Sequence, residues 1–502
     1  MRSAAKDISF TLLFGVAVLL FFGLAYPHHL HYQEQFQLFL FDNTYVWDIV
    51  KQPGGVADLL GRFCTQFFLY AWVGAFIIAL LLSAVQLLMF RLVNSQFSIP
   101  RSALPLCSAK NSQVFYGLSF VPSFLLWIFL LDENALLGGV WAVLLTLLFA
   151  WFVVGCFTKT RKKKNIFVSL TLCVPLIILF YWMVGPVCFP IPIDSLWHGI
   201  HYYRYPTIFP WLLWGAALSV LVLIIVKKVQ GAWGKVQENT KASNHPPAPR
   251  SLPLAPYFLS FLLVAVTMGT LVWKNSNFKA EKGMQYDFMA RHQQWNRILE
   301  TINIEKPNNQ IGVTVQNLAL AMRGMLLDHL LDYNQNGIAG LLPDVKEDAA
   351  SPLPTAEAFY QLGMINVAQR TVFEAQEAIL DFQKSGRCYV RLAQTNLING
   401  NYEVARKYLM ALQKTLFYRE WANETLPLLG NEEAIAKHPE YGRLRQMAYK
   451  EDFYFSDHVT PEMLENLYFR NTDNHMAYQY LIAYYMLTGD RERFNQFMSA
   501  KR

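Results

Sequence analysis

FCTQFFLYAWVGAFIIALLLSAVQLLMF, residues 63–90, runs for 28 residues without a Lys, Arg, Asp or Glu. About 20 apolar residues, rising 1.5 Å each, cross the roughly 30 Å hydrocarbon core of a bilayer. The run therefore predicts a transmembrane helix. Six more charge-free runs have the same character, at 8–25, 113–131, 136–157, 166–186, 207–226 and 253–273. The expected fold class is all-α: a seven-helix transmembrane bundle over 1–273, followed by an extracytoplasmic tetratricopeptide-like α-solenoid over 274–502.

Charge is distributed accordingly. Residues 1–273 hold 18 Lys/Arg and 9 Asp/Glu, whereas 274–502 hold 25 and 27. The formal net charge of +7 is thus a property of the membrane half and implies no nucleic-acid partner. Short positive loops stay in the cytoplasm. Alternate loops carry 15 Lys/Arg on one side and 3 (Lys51, Arg62, Arg204) on the other. The expected setting is a bacterial inner membrane, multi-pass, with the N-terminus cytoplasmic and the C-terminal domain periplasmic. Gly23-Leu24-Ala25 has the form of a signal-peptidase site, but the apolar run before it is longer than a usual signal core, so an uncleaved anchor is expected. The spans lack interior ionisable groups, which argues against a proton-driven carrier. The 6 cysteines form no CxxC motif; only Cys188 and Cys388 fall on the oxidising side, where one bridge is conceivable.

After the seventh run, helical patterns recur. In 386–414, Tyr389, Leu392 and Ala393 precede the turn Gly400-Asn401-Tyr402, and Ala405, Tyr408, Leu409 and Leu412 follow it. A similar layout spans 475–498 around Gly489-Asp490, and a weaker one spans 355–382. Helix pairs that bury one face only by stacking are the unit of a solenoid. Gly400 and Ala405 are expected where helices approach closely. Generic helical hairpins would produce the same pattern.

The first outer loop, 26–62, is far longer than a tie between two helices needs. Glu34 lies soon after the first span, where a partly shielded carboxylate could act as a general base; a solvated interfacial loop is the plainer reading. Asp132 and Glu133 sit together at a hairpin, solvated or holding Mg²⁺ or Mn²⁺. The loop 187–206 carries His198 and His201, on one face if helical, and Arg204, which suits a phosphate. Asp332-Tyr333-Asn334-Gln335-Asn336-Gly337 opens like a calcium loop but has Pro343 where the closing Glu belongs, so a plain turn is expected.

The run His31–Phe39, then Pro53–Phe63 with Gln66-Phe67-Phe68, together with Asn336-Gly337 and Gly340-Leu341-Leu342-Pro343, resembles a domain-of-unknown-function family of multi-spanning inner-membrane proteins from Bacteroidota. At a greater distance the plan is similar to the GT-C membrane glycosyltransferases. That resemblance implies Glu34 as catalytic base, Asp132 and Glu133 as metal ligands, and a polyprenyl-phosphate sugar as donor; the loop residues Arg204, His198 and His201 are then the candidates to bind that donor, with Arg204 on its phosphate. The sequence lacks a clear DxD or ExD at the start of the loop. Two functions follow: a GT-C-like glycosyltransferase at the periplasmic face, or a membrane-anchored scaffold binding a periplasmic protein or peptide in envelope assembly. Beyond these, the lipid bilayer is the one firm partner.

The charge asymmetry generates a direct test. A reporter active only outside the cytoplasm, fused after Arg502, should be active; signal solely from a cytoplasm-only reporter would reverse the orientation.

Overall fold

The computed structural model describes residues 2–52, 54–95, 116–159, 212, 215, 218, 222, 255–343, 351–380, 383–449 and 460–500. Among them, the regular elements are helices and there is no strand. The chain divides into two compact units, Met1–Gln33 with Asn43–Asn277, and Glu34–Asp42 with Phe278–Arg502.

In the first unit, two helices are long and apolar enough to cross a membrane, Ala71–Leu92 and Phe258–Asn275. A third candidate is the pair Ser9–Ala25 and Pro27–Glu34, bent by 79°. Shorter apolar stretches occupy Tyr116–Phe129 and Leu137–Trp151, the latter within the helix Leu137–Lys159. The expected span 166–186 lies outside the described residues; of 207–226 only Leu212, Gly215, Leu218 and Val222 are described, all helical. The second expected span starts later than the composition suggested. Gly55–Thr65 is a separate helix, Gln66–Leu69 is a 3-10 turn, and Tyr70 is extended, so the membrane-length helix begins at Ala71. Composition alone misses this break because apolar residues run through it. The bend after the first span has a local cause: Pro27 has no N–H to continue a helix, and Phe21–Ala25 is already a π-turn.

Buried polar groups tie these helices together. Thr11 donates to Gln86 Oε1 at 2.8 Å, and Gln86 donates to Ser119 Oγ at 2.9 Å. A group that cannot reach water must find such a partner. The helix Gly55–Thr65 crosses Leu137–Lys159 closely: a Cβ on Gly61 would lie 2.5 Å from the Gly138 nitrogen.

The second unit contains the expected helix pairs. Pro352–Leu362 pairs with Ile365–Glu377, Gly386–Asn399 with Tyr402–Gln413, and His475–Thr488 with Arg491–Ala500. Ile365–Glu377 also packs on Gly386–Asn399. The first helix of each pair ends on a left-handed glycine, Gly363, Gly400 or Gly489. Leu392, Ala405 and Leu409 are buried as expected, and Tyr389 is half-buried. Gly400 is a correction. A Cβ there would meet nothing within 4 Å, and its φ is +81°. Its role is to adopt the left-handed C′ conformation that ends the helix, while Ala405 is fully buried. The core joins Tyr286, Ile298, Leu318, Phe359 and Leu362 to Leu397 and Tyr480.

Candidate functional site

The segment Glu34–Asp42 leaves the helix Pro27–Glu34 and, from Gln37 to Asp42, has no regular secondary structure. It is held within the second unit by its own backbone. The Leu38 N–H donates to the Lys384 carbonyl at 2.8 Å, and the Phe41 N–H to the Lys414 carbonyl at 2.7 Å. Both acceptors lie just outside helices. Residues 383–385 are fixed by the buried Gln376, whose Nε2 donates to Gln383 O and whose Oε1 accepts from the Ser385 N–H, each at 2.9 Å. Ser385 then caps the helix Gly386–Asn399. At the far end of the strap, Lys414 pairs with Asp42.

The near end is a network of charges. Tyr418 donates to Glu34 Oε1 at 2.6 Å, and Arg291 Nη2 donates to the Tyr418 oxygen at 3.0 Å. Arg291 Nη1 lies 3.6 Å from Glu34 Oε2, an ion pair too long to be a hydrogen bond. Arg387 grips Asp287 with two nitrogens, at 2.6 and 2.9 Å, and donates to Gln35 Oε1 at 3.2 Å. It also lies 3.7 Å from Glu357, which accepts from Arg391 at 2.5 Å. The Arg391 guanidinium stacks 3.6 Å over the Tyr360 ring. The six side chains are 4–13% exposed. Three carboxylates face three guanidiniums, so the network is formally neutral.

Electrostatics follow from burial. Burial disfavours the Arg291 charge, but Tyr418 and Glu34 outweigh it and hold the guanidinium above its ordinary value. Burial, then Glu34, push the Tyr418 phenol well up, so it remains a donor. Its ring sits where a Cβ on Gly386 would come within 2.5 Å of Cε2, which explains the glycine. Burial likewise raises the thiol of Cys388; its conceivable partner Cys188 lies outside the described residues.

The sequence-predicted site residues fall in different places. Glu34 belongs to the second unit. Its carboxylate is occupied by a phenol and a guanidinium, an arrangement suited to a structural ion. Asp132 is exposed and accepts the Asn134 N–H at 2.9 Å, closing its own turn. Glu133 is half-exposed, and burial, then Asp132, raise its pKa above the ordinary carboxylate value. The hairpin does meet the first outer loop, but through main-chain carbonyls: a His29 ring nitrogen lies 2.9 Å from Leu130 O, and Gln33 donates to Ala135 O at 2.9 Å. Among the described residues no three His, Cys, Asp or Glu form a cluster that could hold a metal. His198, His201 and Arg204 lie outside them.

Asp332 accepts from or pairs with the His329 ring at 2.8 Å, and the residues after it build a clasp. Asn334 Nδ2 donates to Lys306 O at 3.2 Å, Asn336 Nδ2 to Asn308 O at 3.5 Å, and the buried Asn317 to Gln335 Oε1 at 2.9 Å.

Sequence reasoning missed Asp287, Arg291, Glu357, Arg387, Arg391 and Tyr418. A signal existed. Asp287/Arg291 and Arg387/Arg391 are spaced i, i+4 on helices, so each pair shares a face, and charges that such a face buries require partners.

The chain belongs to a family of unknown function, DUF6057, whose model matches residues 4–502. No curated protein and no solved structure matches it.

Replacing Arg291 by Met strands the Glu34 charge in a dry site. Breaking one side of a buried pair costs about 3–5 kcal/mol, so the apparent melting temperature of the full chain should fall by roughly 10 °C. Arg291→Met with Glu34→Gln should recover part of that loss; strict additivity of the two would show that the pair does not interact.

Proposed function

We propose that this protein is a membrane-anchored scaffold, and that its second unit is a tetratricopeptide-like α-solenoid that holds an extended peptide segment of a partner in envelope assembly. In this reading the seven apolar runs all cross the inner membrane, and the helical domain lies in the periplasm, as the loop charges require. The observation that carries the reading is the strap. A helical domain that receives Glu34–Asp42 through main-chain bonds at Lys384 and Lys414, with Arg387 and Lys414 on side chains at either end, has the chemistry of a peptide site. Main-chain bonds supply affinity for any extended segment, and flanking side chains supply selectivity. A matching partner segment would carry acidic or amide residues around an apolar centre, as Glu34-Gln35-Phe36-Gln37-Leu38-Phe39-Leu40-Phe41-Asp42 does.

The GT-C-like glycosyltransferase reading asks Glu34 to take a proton from an acceptor. Here Oε1 already accepts from Tyr418 and Oε2 faces Arg291. A general base must have a lone pair within reach of the substrate proton, so this placement favours the scaffold.

Leu38→Pro removes the N–H that Lys384 accepts and should loosen the strap. The full-length variant should then bind a synthetic nonapeptide of residues 34–42, read by fluorescence anisotropy, at least about tenfold more tightly than the unaltered protein, whose site is filled. A scrambled nonapeptide should not bind. Equal, weak binding to both proteins, with the variant's melting temperature preserved, would count against a peptide site.

A further inference from the structure

A second feature of the helical unit is unrelated to the strap. Phe278–Arg291 and the loop after Trp295–Glu305 enclose an open cavity of about 510 Å³, lined by Lys279, Lys282 and Lys306, with Tyr286 and Glu305. That volume is within the range of small-ligand sites. Glu305 is engaged with Lys282 at 2.7 Å. Lys279 and Lys306 have no ion pair among the described residues, so the cavity wall carries an excess of positive charge.

The loop that presents Lys306 is firmly built. Lys306 has φ +46°, a left-handed conformation that a non-glycine residue rarely adopts. Its carbonyl accepts from Asn334, and that of Asn308 accepts from Asn336. Tyr333 donates to Asn303 at 2.5 Å, bringing the 330–333 turn onto the helix Trp295–Glu305. The sequence Asp332–Gly337, which opens like a calcium loop, therefore holds the wall of a cationic pocket through Tyr333, Asn334 and Asn336. A strained residue held by its surroundings points toward function.

Two further facts select the kind of anion. Ile304 and Leu331, at 86% and 73%, are the most exposed large apolar side chains among the described residues, and both belong to these same two segments. Only Ser276 and Asn277 separate the apolar helix Phe258–Asn275 from Phe278 in the chain. Lysines beside exposed aliphatic side chains, following directly on a membrane-length helix, make the pattern of a surface that meets lipid.

We infer that this pocket binds the phosphate of an anionic phospholipid headgroup, with Lys279 and Lys306 on the phosphate and Ile304 and Leu331 set among the acyl-chain ends. The site assists in fixing the helical domain at the bilayer surface. It is independent of the peptide-scaffold reading and would stand if that reading failed.

The test uses the full-length protein in phosphatidylcholine nanodiscs doped with a photoactivatable phosphatidylglycerol, with adducts mapped by mass spectrometry. Adducts should concentrate on peptides within 278–309. Lys279→Gln should lower their yield about fivefold, the scale of one lysine at an anionic surface. Lys306→Gly is the informative variant. Glycine relieves the left-handed backbone, so the melting temperature should hold or rise, yet adducts should again fall about fivefold. Lys437→Gln, at an exposed ion pair elsewhere on the domain, should change nothing. A photoactivatable phosphatidylcholine that labels 278–309 equally, or unchanged labelling in Lys279→Gln and Lys306→Gly, would overturn the site. Full displacement of the lipid by millimolar inorganic phosphate would assign the pocket to free phosphate and overturn the lipid assignment.

Discussion

Three carboxylates and three guanidiniums share one dry interior, and their mutual neutralisation is the constraint on which the helical unit depends. An ion removed from water costs several kcal/mol unless a partner and hydrogen bonds replace its hydration. Asp287 and Arg387 meet that condition with a bidentate grip, and Glu357 and Arg391 with a 2.5 Å hydrogen bond. Arg291 meets it only with Glu34 and Tyr418. The helices alone would leave a cation short of its counter-ion. The nine-residue segment of the first outer loop that begins at Glu34 supplies it.

That dependence gives Glu34 a role different from the one its position suggested. Soon after an apolar span, a carboxylate reads as an interfacial acid available for chemistry. In the fold it is an internal counter-ion, and the chain enters the helical unit at Glu34, leaves at Asp42 and returns at Phe278. The strap then exploits an opening that helical hairpins create by themselves. The C-terminal end of a helix presents carbonyls without intrahelical partners, and Lys414 offers its own to Phe41, while Lys384, just before the next helix, offers its carbonyl to Leu38. A domain so arranged is suited to holding extended chain, its own or a partner's.

What the sequence disclosed and what it hid have physical reasons. Helical class, the apolar helix ending at Asn275 and the three helix pairs were legible because each is set by local periodicity, and Gly363, Gly400 and Gly489 mark their turns. The break at Tyr70 was hidden because apolar composition is continuous through it and no Pro or Gly marks it. The charge network was hidden for a different reason: Glu34 and Tyr418 are 384 residues apart, and no local pattern encodes such a pairing. The i, i+4 charges at Asp287/Arg291 and Arg387/Arg391 mark one helix face each without saying which partners they need. Asn334 and Asn336 were noticed for a calcium pattern, whereas their amides clasp the loop beside Lys306.

The strap Glu34–Asp42 is part of the helical unit. Hydrogen–deuterium exchange on the full-length protein in detergent addresses this directly at the Leu38 and Phe41 amides. Both should be protected to a degree comparable with core amides such as Leu392 and Leu409, and Arg387→Ala should release Leu38 by removing the contact to Gln35. Exchange of Leu38 and Phe41 at the rate of an unstructured peptide, while Leu392 and Leu409 stay protected, would contradict it.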